Sequence, residues 1–227
     1  MHYRHLFCCA SLAALLTFLA LRPSHAYDTD SQAWAQFTLN GKLKNGVRLY
    51  AEVQARQGEN YHQFSQFIVR PAVGYQVTPK LSLWIGYGWT PTFIPNFKNE
   101  NRLFEQVLLE DRVGRVSLTN RVRLEERDIE GAGGTSLRLR HQVRASLPLD
   151  SQRRWSIVGF NELYYNLNSA GSGPQAGVDQ DRVYSGISRT LSRHTRMDVG
   201  YVAAFVNRPH KPDRRLDVLM LTVNYNL

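Results

Sequence analysis

The run from Leu81 to Thr90 sets Leu81, Leu83, Ile85, Tyr87 and Trp89 on one side of an extended chain. Ser82, Trp84, Gly86, Gly88 and Thr90 fall on the other. Side chains of a strand alternate between its faces, so period two over this length calls for a β-strand rather than a helix. Val47 to Arg56 repeats the pattern, with Val47, Leu49, Ala51, Val53 and Ala55 opposite Arg48, Tyr50, Glu52, Gln54 and Arg56. Val116 to Arg127 repeats it again, interrupted on the apolar side by Asn120, and Leu137 to Leu147 does so with His141 as the interruption. Near the end, Met197, Val199, Tyr201, Ala203 and Phe205 alternate with Arg196, Asp198, Gly200, Val202 and Ala204. A chain built this way must give one whole face of its sheet to an apolar medium and the other to charge.

Less regular strands are read at 62–77, 102–110, 154–167 and 181–191, with a further extended run at 32–39. Around Phe160 to Tyr165, pointing Glu162 inward sends Asn161 outward, a conflict that a bulge would relieve. Short connections (78–80, 111–114, 148–153, 192–195) alternate with longer ones rich in Gly, Pro or charge (91–101, 128–134, 169–181, 207–213). Short turns at one rim and long loops at the other describe an antiparallel transmembrane β-barrel. If both chain ends share the turn rim, the strand number is even; the connections give about ten strands, from residue 46 to 227, or twelve if 27–45 contributes.

The first 26 residues stand apart. Arg4 and His5 precede an apolar run, Leu6 to Leu21, and Ser24-His25-Ala26 offers small residues at the positions a signal peptidase reads, so 1–26 is expected to be a cleaved signal peptide. A membrane helix is the competing reading, but it needs about 20 apolar residues. Cys8 and Cys9, the two cysteines of the chain, both lie in this segment, so the remainder forms no disulfides. The residues before Tyr27 end in Ala26 rather than Cys, against a lipid anchor.

A soluble β-sandwich or lipocalin-like barrel would also alternate, with the apolar face as its core. Three features favour the membrane. They are the export signal, the turn and loop asymmetry, and a last strand apolar at Leu219, Leu221, Val223, Tyr225 and Leu227, which resembles the assembly signal of outer-membrane proteins although its usual final Phe is replaced by Leu227. Tyr61, Trp89, Tyr164 and Tyr165 near the loop rim and Tyr75, Trp155 and Tyr225 near the turn rim fit two interfacial girdles. The expected location is therefore the bacterial outer membrane. The expected partners are its lipid and lipopolysaccharide and the outer-membrane assembly machinery.

Net charge is +9, and for an exported chain this points inward rather than to nucleic acid. The alternation aims Arg48, Arg56, Arg121, Arg123, Arg127, Arg138, Arg140, Arg144 and Arg196 at the interior, against Glu52, Glu125, Glu162 and Asp198. Such crowding requires carboxylates, water or anions between the guanidinium groups. It suits either a plugged lumen held by an Arg-Glu network or a narrow, porin-like conduit or binding site for small anions. Catalytic chemistry is sparse. His62 and Ser65 are three apart and so on opposite faces, and His141 stands alone on the apolar face. Asp179 and Asp181 on a long loop make a weak calcium candidate, Gly131 to Gly134 lies in a hairpin loop rather than a phosphate loop, and no cofactor or metal is expected.

Arg121-Val-Arg-Leu-Glu-Glu-Arg127, Leu83-Trp-Ile-Gly-Tyr-Gly-Trp89, Arg138-Leu-Arg140, Phe160-Asn-Glu162 and Asp181-Arg-Val-Tyr-Ser-Gly186 together resemble the domain-of-unknown-function 2490 family of bacterial proteins. The resemblance spans nearly all of residues 27–227. It implies an outer-membrane barrel and no established activity. The expected function is accordingly a non-enzymatic barrel of unknown role. The alternative is a membrane-embedded hydrolase modifying lipid or lipopolysaccharide.

Overall fold

The structure is a computed structural model that describes residues 27–209 and 211–227. The expected signal peptide, with both cysteines, lies outside the described residues. Eleven strands close into one barrel: β1 (Asp28–Lys42), β2 (Val47–Gly58), β3 (Gln63–Gln76), β4 (Leu81–Trp89), β5 (Glu100–Val113), β6 (Val116–Ile129), β7 (Thr135–Pro148), β8 (Trp155–Asn166), β9 (Gly177–Thr190), β10 (Thr195–Val206) and β11 (Arg214–Asn226). Sequential neighbours pair antiparallel, and the barrel is shut by β1 lying parallel to β11, from Asp28 beside Arg214 to Asn40 beside Asn226.

The strands read from residue 46 onward are β2 to β11, and the run at 32–39 is the middle of β1. The count is odd because β1 starts at the loop rim, not the turn rim. Running the same way as β11, it satisfies the backbone edges of both β2 and β11, which would otherwise be open. Its outward side chains include Ala33 and Ala35, so its alternation is faint in the sequence.

The two faces are opposite in character. Large apolar side chains are exposed on the outside of every strand, among them Phe37, Val53, Val73, Ile85, Leu103, Val122, Leu139, Ile157, Ile187, Val199 and Leu219. Several polar interruptions of this outer face pair with each other. His141 Nε2 and Asn120 Oδ1 are 3.1 Å apart, Asn161 donates to Asp181 at 2.7 Å, and Tyr201 donates to Asp217. Asn161 thus does face outward while Glu162 faces in, and the β8–β9 register shifts between Tyr164 and Tyr165.

Inside, charge is not continuous. Trp34, Val158, Tyr184, Val202, Ala204, Leu216 and Val218 make one apolar cluster along β8–β11 and β1, and Ala72, Trp84 and Phe104 make another on β3–β5. Glycines on neighbouring strands give these aromatics room. A Cβ on Gly74 would collide with the Trp84 ring, and one on Gly200 would sit 2.5 Å from Ser185 O and 2.7 Å from Tyr184 Cε2.

Connections at the turn rim are tight. Asn45 and Gly46 both take positive φ between β1 and β2, a conformation that Asn and Gly tolerate best. Asp150, between β7 and β8, accepts a hydrogen bond from Trp155 N at 2.9 Å, which holds its carboxyl below the usual range. At the other rim the long loops bind one another, with Ser172 N donating to Ala132 O at 2.9 Å and Asn99 N to Glu130 Oε2 at 2.9 Å. Two sequence expectations change in detail. Tyr164 is 2% exposed and points inward, so it belongs to no outer girdle, and Asp179 and Asp181 lie on β9 rather than in a loop.

Replacing Gly200 with Val should lower stability by about 1–3 kcal/mol, because the added side chain meets backbone that cannot move aside. The urea midpoint of the purified protein, followed by tryptophan fluorescence, checks this; an unchanged midpoint would contradict the packing described.

Candidate binding site in the barrel interior

Each strand contributes every second residue to a central cavity of about 480 Å³. Eleven arginines and five carboxylates line it among the described residues. Arginine suits this setting, since its planar fork can bridge two carboxylates while its flat face rests on a ring.

Glu125 on β6 is fully buried and anchors the loop-side half. Arg138 donates to it at 2.6 and 3.0 Å and Arg140 at 2.6 Å. Arg140 also reaches Glu162 at 2.6 Å, where Arg121 donates at 2.6 Å and Tyr164 Oη at 2.9 Å. Nearer the loops, Glu100 accepts two bonds from Arg102, at 2.7 and 2.8 Å, and one from Arg127 at 2.6 Å. Arg138 adds Asp179 at 3.0 Å. Arg70 meets Glu52 at 2.7 Å, which also accepts from Tyr50 at 2.6 Å. Toward the turn rim, Arg144 pairs with Asp198 at 2.7 Å and Arg48 with Glu110 at 3.3 Å.

Three arginines have weaker compensation. Arg56 donates to Gln54 and Gln66, both at 2.8 Å, and lies 3.9 Å from the Trp34 ring centre. Arg182 donates to Gln180 at 2.9 Å and packs on Trp34 and Tyr164 at 4.9 and 4.6 Å. Arg123, only 2% exposed, holds Gln106 at 2.6 Å and faces Phe104 at 4.1 Å, with its nearest carboxylate oxygen, on Glu125, 3.7 Å away. Amide oxygens and ring faces supply partial negative charge without neutralising a cation.

Exposure differs between the two rims. The side chains of Arg127 and Arg138 below the long loops are 9% and 7% exposed, whereas those of Arg144 and Glu110 near the turns are 31% and 46% exposed. Asn40, Arg48, Glu110, Arg144 and Asn224 are shared with a vestibule of about 640 Å³ at the turn rim, whose wall adds Lys42, Arg193, His194 and Arg196. The interior communicates with this vestibule at the turn rim and is more tightly filled around Glu100 and Glu125 toward the loops.

Of the residues picked out by sequence, Arg48, Glu52, Arg56, Arg121, Arg123, Arg127, Arg138, Arg140, Arg144, Glu162 and Asp198 line the central cavity. Glu125 lies buried within their network, and Arg196 stands in the vestibule. Sequence reading missed Arg70, Arg102 and Arg182, on strands whose faces it does not assign, and Glu100, which it places in the connection 91–101 although the residue begins β5. On β3 the signal was available, because Phe67, Val69, Pro71, Val73 and Tyr75 alternate around Arg70. On β5 the exposed Glu105 falls among the outward positions and obscures it. Tyr50 and Trp84 fall on the inward faces that the alternation defines, whereas Trp34, Phe104, Tyr164 and Tyr184 escaped the sequence reading, since an inward aromatic looks like an outward one.

No nucleophile assembly forms around the hydrolase candidates. Ser65 Oγ donates to Arg56 O at 3.1 Å, His62 lies in the β2–β3 loop, and His141 bonds only Asn120 across the outer face. Among the described residues no group of His, Cys, Asp and Glu is arranged to hold a metal; Asp179 is engaged by Arg138 and Asp181 by Asn161.

Changing Glu125 to Gln should cost about 3–5 kcal/mol, since it strips two buried arginines of their shared counter-charge. A urea titration with the wild-type midpoint would show that the network is dispensable.

Residues 31–215 match the sequence profile of a family described as protein of unknown function, DUF2490. An uncharacterised protein of Methylorubrum extorquens is 32% identical over 201 residues, covering 85% of either chain. The matched stretch runs from the start of β1 to the start of β11 and so contains nearly the whole barrel and its arginine network. The chain belongs to the DUF2490 family.

Proposed function

We propose that this protein is a non-enzymatic barrel of the bacterial outer membrane whose interior binds small anions entering from the turn rim. The observation that carries the reading is the inverted polarity of the barrel, apolar outside on all eleven strands and arginine-rich within. In water an exterior with large apolar side chains exposed on every strand would drive aggregation, whereas hydrocarbon accommodates them. A closed barrel also leaves no backbone edge unpaired, the condition for crossing a bilayer with strands. By the usual orientation the turns face the periplasm, so the interior communicates with that side, as a well more tightly filled toward the long loops outside.

Inward cations exceed inward acids, and the vestibule adds further basic groups, which gives an anion a favourable path to Arg123 and Arg70. Binding is favoured over conduction. Trp34, wedged by Arg56 and Arg182, and the buried Glu100, Arg102, Arg127 and Arg138 occupy the loop-side section.

The protein should fractionate with outer membranes and migrate differently on gels before and after heating. In planar bilayers it should carry no steady current. Inorganic phosphate should bind in calorimetry, with affinity reduced at least tenfold by Arg123→Gln. Recovery in the soluble periplasmic fraction would overturn the membrane reading; steady anion current would replace the well by a conduit; absence of binding by phosphate and by carboxylate anions alike would overturn the anion reading.

A further inference from the structure

The cavity is not a uniform ring of charge. Beside its least compensated cation it has an aromatic wall, and the two features together specify a narrower ligand class than anions at large. Resting on the binding function proposed above, we infer that the well prefers organic anions with a flat apolar body, such as aromatic carboxylates, over inorganic anions, which bind the same arginines more weakly.

The polar half of this subsite is Arg70 and Arg123. Both are nearly fully buried, and Arg70 Nε and Arg123 Nη1 have no hydrogen-bond partner. Arg70 is bound to Glu52 through Nη1 alone, and Arg123 is held by the amide oxygen of Gln106. A buried guanidinium N–H left unbonded costs free energy, which an acceptor would return once a small side-chain shift turned the N–H toward the cavity that both residues line. A carboxylate suits two such donors, because each oxygen accepts in the plane of the group.

The apolar half belongs to the same place. Arg123 lies over Phe104 at 4.1 Å, and Phe104, Ala72 and Trp84 form one buried cluster with Tyr50 and Leu108 packed against it. Tyr50 and Trp84 meet edge to face, with ring centres 6.4 Å apart. Gly74 keeps Trp84 flat against the barrel wall, since any Cβ there would push the indole into the cavity. Tyr50 and Leu108, which are half-buried, line the cavity together with the more deeply buried Trp84 and Phe104. Inorganic phosphate would satisfy the arginines and leave this apolar wall against water. A ring carrying a carboxylate satisfies both, and burying its faces adds about 25 cal/mol per Å² of apolar surface. A volume of about 480 Å³ is of the size that small-molecule sites use.

The test compares benzoate, its neutral isostere benzamide and inorganic phosphate on the purified full-length protein, by calorimetry and by quenching of tryptophan fluorescence. Benzoate should bind saturably and at least tenfold more tightly than phosphate, with benzamide showing no binding. Its quenching should disappear in Trp84→Phe, which retains an aromatic ring in the wall. Arg123→Gln should weaken benzoate and phosphate alike, whereas Leu108→Ser should weaken benzoate and leave phosphate unchanged. Arg123→Gln removes an incompletely paired buried charge, so loss of folding is not expected, and gel migration before and after heating verifies this for each variant. Equal affinity for benzoate and phosphate would overturn the aromatic subsite while leaving the anion-binding function standing. Binding of benzamide as tightly as benzoate would overturn the role of the arginines. Absence of binding by either anion would overturn both proposals.

Discussion

Glu125 is the residue on which the interior depends. It has no contact with solvent, and it receives Arg138 and Arg140 through both of its oxygens. Through Arg140 it is linked to Glu162, and through Glu162 to Arg121 and Tyr164. Guanidinium groups this close repel one another strongly where water cannot screen them, so a closed barrel with this interior exists only if carboxylates are interleaved among them. The spacing of the sequence provides this. Arg138 and Arg140 are successive inward positions of β7, on either side of the outward Leu139, and their cross-strand partners on β6 are Glu125 and Arg123.

The carboxylates do not balance every cation, and the imbalance has a location. Fully paired groups concentrate at Glu100, Glu125 and Glu162, in the loop-side and central part of the wall formed by β5 to β8. The incompletely paired Arg56, Arg123 and Arg182 rest instead on ring faces and amide oxygens. Residues of one chemical type thus differ in their compensation, some held by carboxylates and others resting on amide oxygens and ring faces.

Much of the fold was legible because a sheet with unlike faces writes period two directly into the chain. β2, β4, β6 and β7 could be given both their extent and their inward side from that pattern alone. β1 could not, because alanines at 33 and 35 contrast weakly with Gln36 and Thr38, and its direction depends on β11, nearly two hundred residues away. The inward cations of β6 and β7 were readable for the same reason, whereas Arg70, Arg102 and Arg182 required the register of their neighbours. Least legible was the apolar part of the interior. Val202 and Ala204 share the face of Arg196 and Asp198 in the alternation, but as apolar residues beside outward residues of similar type they carry no sign of the cluster that they form with Trp34, Val158, Tyr184, Leu216 and Val218.

The parallel seam between β1 and β11 has a consequence for the chain as a whole. Because the two strands run side by side in the same direction, Asp28 and Asn226 finish at opposite mouths of the cylinder, separated by on the order of 30 Å along its axis given a usual strand rise and tilt. Leu227 N still reaches back to Asn40 O at 2.9 Å, so the last residue is fastened to the far end of the first strand rather than to its beginning. The cylinder is therefore polar in a second sense besides its unequal filling. Reporter groups attached ahead of β1 and behind β11 would stand on different sides of any sheet of material that the barrel traverses.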